Sequence, residues 1–278
     1  MFDEIFEGRR PVLIAVLHLP PMRRLLIDDR TYIEELIAFA IGEGRKVEAA
    51  GFDAILIENY GDSPFMKRVR DLVYILVFST IVRELVKELS IPIGVNLLRN
   101  SALEAYAIAY SVGARFIRVN AFVETLVTDS GIIEPAAPHL AKLRTMYRGV
   151  AIFADILCKH ATSLYYEYLK EKIGDRKEAI KHIVLEAAER GHADAIIVTG
   201  VRTGAPPDLD TVKYVRSVSP VPILVGSGLD PENATSLLKY ADGAIVGSYI
   251  RVDGRAGNPI DVQRAQKLIN IARSVIRR

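Results

Sequence analysis

Ile91–Asn100 reads IPIGVNLLRN, and this stretch decides how the rest of the chain is read. Its body is apolar and β-branched, with one proline near the start and no charge until the end, the composition of a strand buried on both faces. It then closes on Asn96, Arg99 and Asn100. Apolar packing has no use for two amides and a guanidinium, whereas a carboxylate, phosphate or sugar hydroxyl can bond to all three. The pattern recurs: IAVLHLP ends in His18, AILIENYGD in Glu58, Asn59 and Asp62, FIRVNAF in Asn120, and IFADILCKH in Lys159 and His160. In parallel α/β proteins the C-terminal strand ends are where ligands bind.

The other elements fall into place around these strands. Strands are expected at Pro11–Pro20, Phe52–Tyr60, Ile91–Leu98, Ala114–Phe122, Ala151–Lys159, Ala195–Thr199, Pro222–Gly226 and Ala244–Val246. Between them, 3.6-residue periodicity predicts helices at Tyr32–Gly51, Arg68–Leu89, Ser101–Val112, Leu140–Tyr147, Lys177–Arg190, Leu209–Val218, Ala234–Tyr240 and Val262–Arg277. The paired prolines of HLPPMRRLLIDD make a loop after the first strand. Val123–Pro138 and His160 to about Arg176 read as long connections. Eight strand–helix alternations in 278 residues predict a single-domain (β/α)8 TIM barrel rather than an open doubly wound sheet.

Composition narrows the function. The 36 Lys and Arg nearly balance the 34 Asp and Glu, with no basic stripe, which argues against nucleic acid as a partner. One cysteine, Cys158, excludes an internal disulfide and suits a reducing cytosol. No secretory signal or membrane span is read, so a cytoplasmic protein is expected. Scarce glutamine and plentiful Ile, Val and Arg lean towards a thermophilic source.

Two glycine-containing turns carry the most specific chemical signal. Gly226-Ser227-Gly228 follows the seventh strand and Gly247-Ser248 the eighth, where barrels commonly hold a phosphate on backbone N–H groups. Plain tight turns are the structural alternative. Glu232 and Asn233 mark the start of the helix that follows the first turn. After the sixth strand, Thr199, Arg202, Thr203 and Gly204 belong to a glycine-flanked loop suited to closing over a ligand, or simply to the surface. Arg118 and Asn120 share one face of the fourth strand, and a buried arginine there needs a carboxylate such as Glu58 or Asp155. Asp155 and Lys159 share parity on the fifth strand. A desolvated Lys159 can be a nucleophile, a proton-transfer group or a counter-charge for phosphate. Cys158, of opposite parity, is expected to face the helices. His18 and His160 are the histidines at strand ends, suited to moving protons. Convergence of His18, Glu58, Asp62, Asp155 and His160 on a metal has no supporting ligand spacing, so neither a metal nor a cofactor is expected.

Taken together, the runs HLPP (18–21), ENYGDSPF (58–65), GVNLLRN (94–100), FIRVN (116–120), TDSGIIE (128–134, with Asp129), ADILCKH (154–160), VTGVRTG (198–204), VGSG (225–228) and IVGSY (245–249) resemble the BtpA family along nearly the whole chain. The resemblance implies a barrel akin to the ribulose-phosphate-binding barrels. It also links cyanobacterial members to photosystem I biogenesis or stability, and another branch to sugar-metabolism genes. The stretch after HLPP, MRRLLIDD, departs from the small Gly- and Pro-containing turn of the family. The function expected is that of an enzyme on a small phosphorylated metabolite, a sugar or nucleoside phosphate, with isomerisation, aldol cleavage and glycosidic cleavage all open. The phosphate would lie on Gly226, Ser227 and Gly228 and on Gly247 and Ser248. The reacting part would meet Lys159, Asp155, His18, Glu58, Asn96, Arg118 and Asn120, with Arg99, Asp129, His160, Thr199 and Thr203 as further contacts. A homo-oligomer is compatible with this reading. The alternative is a non-catalytic assembly factor, which predicts an exposed apolar patch on the helical shell.

Overall fold

The computed structural model describes residues 1–22, 30–200 and 204–275. Eight parallel strands close into a barrel: β1 (Val12–His18), β2 (Ala54–Glu58), β3 (Ile93–Asn96), β4 (Phe116–Val119), β7 (Ala151–Ile156), β9 (Ala195–Val198), β10 (Ile223–Val225) and β11 (Gly243–Val246). Three short strands, β5 (Leu126–Thr128), β6 (Gly131–Ile133) and β8 (Ala161–Ser163), form a separate antiparallel sheet in the order β6-β5-β8. Barrel neighbours follow chain order, and β11 pairs with β1 to close the ring.

Alternation along the strands sorts the core into two layers. Val12, Ile14 and Val16 of β1 point into the barrel, while Leu13, Ala15 and Leu17 pack under the helices. Inside, the Phe116 and Phe153 rings stack with centroids 4.7 Å apart. Gly94 has no side chain because the Phe116 ring occupies that space: a Cβ there would fall 2.1 Å from it. The N-terminal segment, given no structure from sequence, forms helix α1 (Phe2–Phe6), whose Phe2, Ile5 and Phe6 plug the bottom of this inner core. Burying each ring is worth about 2–3 kcal/mol.

At the same end, Asp53, Asp194 and Asp242 each stand just before a strand and accept an N–H from the strand beside it, those of Leu13, Ile152 and Ile223. Each also pairs with arginine: Arg9 and Arg273, Arg144, and Arg10 and Arg216 respectively. The bottom of the barrel is thus locked, and the opposite end is left for a ligand.

Several boundaries differ from the sequence reading. Helix α3 runs over Leu72–Glu88 rather than from Arg68, because Asp71 caps it by accepting from the Val73 and Tyr74 N–H groups. Ser101 does precede helix α4 (Ala102–Val112), but its hydroxyl accepts from Val69 N–H at 2.9 Å instead of capping. The two long connections are structured. Val123–Pro138 contains the β5–β6 hairpin, and the second contains β8 and helix α6 (Leu164–Ile173), capped by Ser163 and ended at Gly174. Each of these three strands buries only one of its three residues, so no continuous apolar run marks it in the sequence.

Candidate active site at the C-terminal mouth

Register builds the site. His18 pairs laterally with Glu58, and Glu58 with Asn96, so three inward polar side chains end β1, β2 and β3 at one height. On the far wall, Arg118 and Asp155 continue the inward rows of Phe116 and Phe153. Above this layer lies a cavity of about 530 Å³, the size of a small-metabolite site. His18, Glu58, Asn96, Arg99, Arg118, Asn120, Asp129, Lys159, His160, Gly226, Ser227, Gly228, Gly247 and Ser248 all line it.

Arg118 and Asp155 form the floor. Both are essentially buried, and the guanidinium binds the carboxylate with two bonds of 3.0 Å, Nε to Oδ1 and Nη2 to Oδ2. Asn120 Nδ2 donates to the same Oδ2 at 2.9 Å, and Cys158 Sγ lies 3.3 Å from it. Burial works against the Arg118 charge, but Asp155 outweighs it and the pKa ends above its ordinary value. Four donors on one carboxylate make Asp155 an anchor for its neighbours, and of the two partners named for Arg118 it is Asp155 that binds it. Gly226 has no side chain because residues at the end of the adjoining strand fill the space: a Cβ there would fall 2.5 Å from Ile197 Cγ2 and 2.7 Å from Thr199 Cγ2. Asn120 Oδ1 is buried and has no partner among the described residues, so it offers the cavity an acceptor.

Cys158 differs from its expected placement. Strand β7 stops at Ile156, and Leu157 adopts a left-handed φ of 48°, so parity no longer applies beyond it. Cys158 consequently turns to Asp155 and lines the cavity, where burial pushes its thiol pKa well up. Three contacts hold this turn. Glu124 Oε2 accepts from Leu157 N–H at 3.0 Å, Thr199 Oγ1 donates to Leu157 C=O at 3.2 Å, and it accepts from Lys159 N–H at 3.0 Å. Thr199 therefore positions the turn rather than lining this cavity. Glu124 is buried, its other oxygen has no partner among the described residues, and burial raises its pKa to about 7. Lys159 reaches the mouth. Burial, then the Arg118 charge, lowers its pKa, and its Nζ has no hydrogen-bond or ion-pair partner among the described residues. Lys159 and His160 also border a second cavity of about 770 Å³, walled by Thr162, Thr199, Pro206 and Asp208.

His18 is 6% exposed, stacks on Tyr60 at 4.1 Å and accepts the Gly257 N–H on Nδ1 at 3.2 Å. Burial, with the charges of Arg251 and Lys159, lowers its pKa well below 6.5. The neutral ring therefore carries its proton on Nε2. Glu58 accepts from Asn96 Nδ2 at 2.8 Å. Arg99 lies over the Phe65 ring and pairs with Asp129 at 3.0 Å at the rim, while His160 is exposed beside it. Asn100 bonds instead to the Glu134 carbonyl, Asn59 accepts the Leu98 N–H, and Asp62 bonds the Tyr74 hydroxyl. Those three groups serve the loops. The convergence of Asp62, Asp155 and the histidines on one metal does not occur: Asp155 is taken by Arg118, and no group of three metal-ligating side chains exists among the described residues.

The glycine loops are partly structural. Ser227 Oγ donates to Ala205 C=O at 3.0 Å, and a Cβ on Gly228, at φ 73°, would fall 2.2 Å from Pro206 N. The five-residue helix Ala234–Leu238 begins well beyond Gly228, so no helix start abuts the cradle. Yet the backbone N–H groups of Ser227, Gly228, Gly247 and Ser248 bond to no acceptor among the described residues. Thr203 and Arg202 lie outside those residues.

Sequence reasoning missed Tyr60, Phe65 and Arg251. Arg251 is 1% exposed, donates to the carbonyls of Val16 and Asn258, and has its pKa lowered by burial to about 10. The signal present was an arginine three residues beyond Gly247-Ser248, too far from the strand end to be read by parity.

This closed parallel barrel with one polar mouth defines a single-domain TIM-barrel protein. Residues 9–274 match the family model for the BtpA family, and the chain belongs to that family. It is 35% identical over 268 residues to the photosystem I biogenesis protein BtpA of Synechocystis, covering 96% of this chain and 89% of that one. It is 40% identical over 265 residues to an uncharacterized protein of Methanocaldococcus jannaschii, covering 95% and 96% of the two chains. Among solved structures, (S)-3-O-geranylgeranylglyceryl phosphate synthase from Thermoplasma acidophilum, in complex with sn-glycerol-1-phosphate, superposes with a TM-score of 0.62 at 12% identity, covering 99% of each chain. N-(5'-phosphoribosyl)anthranilate isomerase from Pyrococcus furiosus gives 0.57 at 16%, covering 95% of this chain and 100% of that one. At those identities the likeness is one of fold. No helix among the described residues is long and apolar enough to cross a membrane.

Proposed function

We propose that this protein is an enzyme acting on a small phosphorylated metabolite, a sugar or nucleoside phosphate, with the phosphate held by the loops after the seventh and eighth barrel strands. The observation that carries the reading is the set of four backbone N–H groups, at Ser227, Gly228, Gly247 and Ser248, without an acceptor among the described residues on the wall of one cavity. Backbone donors in glycine loops are the usual cradle for a phosphate dianion in this fold. Opposite them stand groups able to bind and activate the rest of a metabolite: the Glu58 carboxylate, the neutral His18 imidazole, Lys159 and the acceptor on Asn120. The names of the solved neighbours also refer to phosphorylated compounds, which is support by analogy of fold.

The test is thermal shift with inorganic phosphate and a panel of sugar and nucleoside phosphates. A ligand at 100 times its Kd adds about 2.7 kcal/mol, or about 5 °C at this chain length. Absence of any response to phosphate or to any phosphorylated compound defeats the reading.

A second reading, a non-catalytic assembly factor, is favoured by one feature of the shell. Leu72, Val73 and Leu76 share the outer face at the start of α3 and are 73%, 64% and 66% exposed. Leu72→Glu with Leu76→Glu abolishing function in cells, while Lys159→Ala and Asn96→Ala leave it intact, is the result this reading requires.

A further inference from the structure

We propose that Lys159 is a covalent nucleophile, whose amine condenses with the carbonyl carbon of a phosphorylated aldehyde or ketone in this cavity to form a Schiff base. This deepens the proposed function and rests on it for the binding of the phosphate.

The backbone around Lys159 is arranged to deliver that amine. The chain leaves β7 through the left-handed Leu157, whose N–H is held by the buried Glu124 carboxylate and whose carbonyl is held by Thr199. The same Thr199 hydroxyl accepts the Lys159 N–H, so both sides of the turn are pinned by one side chain. A lysine kept only for structure ends on a carboxylate or in solvent. Lys159 is half-buried, lines the cavity, and has no ion-pair partner among the described residues.

A counter-charge for the phosphate is the competing role, and position argues against it. Strand β7 is separated from β10 by β9, so the lysine does not spring from the strands that carry the glycine loops. Its electrostatic neighbours are Arg118, Glu58 and Asp155, and it acts in turn on His18, whose strand lies across the barrel. The amine therefore shares the cavity with Glu58 and His18 and lies within electrostatic reach of both. Burial and the permanent Arg118 charge favour its neutral, nucleophilic form.

The step balances without a redox partner. The neutral amine adds its lone pair to the carbonyl carbon as the C=O π pair moves to oxygen. One proton passes from nitrogen to that oxygen, giving a carbinolamine. A second proton, supplied by an acid on the wall, lets the hydroxyl leave as water, and the nitrogen lone pair closes the iminium. Glu58 lines the same cavity, and its carboxylate accepts from Asn96 on Oε2 and leaves Oε1 without a hydrogen-bond partner among the described residues, so it can relay that proton from solvent. The iminium is an electron sink, so the chemistry it supports is cleavage or formation of a C–C bond near the carbonyl, or proton shifts beside it. Glycosidic cleavage has no use for it.

The experiment incubates the intact protein with glyceraldehyde 3-phosphate, dihydroxyacetone phosphate and ketose phosphates, adds borohydride, and maps adducts by peptide mass spectrometry. The expected result is a stoichiometric adduct on Lys159, of mass equal to the bound compound less one oxygen, suppressed by excess inorganic phosphate. Lys159→Arg leaves the backbone N–H cradle untouched and removes the amine, so it retains the thermal response to phosphate and loses the adduct. Compounds that raise the melting temperature but leave Lys159 unmodified overturn the Schiff base alone. Adducts spread over surface lysines and unchanged in Lys159→Arg overturn it as well. No thermal response to phosphate or to any compound overturns both this proposal and the function on which it rests.

Discussion

Asp155→Asn is the sharpest test of how the mouth is built. The substitution preserves shape, so it opens no cavity. It removes the negative charge from a carboxylate that binds Arg118 twice at 3.0 Å, and both side chains are essentially sealed from solvent. An amide has one oxygen to offer where Nε, Nη2, Asn120 Nδ2 and the Cys158 thiol now share two, and its NH2 confronts the guanidinium. Breaking one partner of a buried pair costs about 3–5 kcal/mol, because the remaining charge is left uncompensated. For a chain of 278 residues this corresponds to a fall in Tm of about 6–10 °C. Replacing both partners, as in Arg118→Met with Asp155→Leu, removes the stranded charge and recovers most of the loss, so the double-mutant cycle shows a coupling of more than about 2 kcal/mol. Urea unfolding followed by circular dichroism measures each corner. A cost below about 1 kcal/mol for Asp155→Asn, or simple additivity in the cycle, refutes the assignment of Asp155 as the anchor of the floor.

Gly228→Ala, which places a Cβ 2.2 Å from Pro206 N at φ 73°, should cost about 1–3 kcal/mol and abolish the thermal response to phosphate. Glu124, with a pKa raised by burial to about 7, binds its proton more tightly in the folded than in the unfolded chain. Stability should accordingly fall as pH rises from about 4.5 to 7 and stay flat above, by on the order of 3 kcal/mol, and urea midpoints of Glu124→Gln at pH 5 and 8 should lack that fall. The His18 ring, its pKa lowered by burial and neighbouring charge, should keep the nitrogen chemical shifts of a neutral Nε2–H ring at pH 6.5, where an exposed histidine is half protonated. Gly94→Ala should destabilise by about 2 kcal/mol or more, since the Phe116 ring already fills the added methyl's space.

The amino-acid order alone determined the eight strands, the end of each that carries polar groups, and hence the barrel and its mouth. Periodicity is a local property, and a strand buried on both faces announces itself in seven or eight residues. His18, Glu58, Asn96, Arg118 and Lys159 were legible for the same reason: each is a polar residue terminating an apolar run. Only the tertiary structure decided which groups are spent on one another. Asp155 proves to be the counter-ion of Arg118, Cys158 turns inward because Leu157 breaks the strand's alternation, and Asn100 and Asp62 are drawn off to hold loops. It also placed Phe2 and Phe6 beneath the barrel, Arg251 behind His18, and the small sheet beside the opening. Such pairings join residues tens to hundreds of positions apart. They are settled by the closing of the ring and the desolvation that closure imposes, neither of which leaves a periodic trace along the chain.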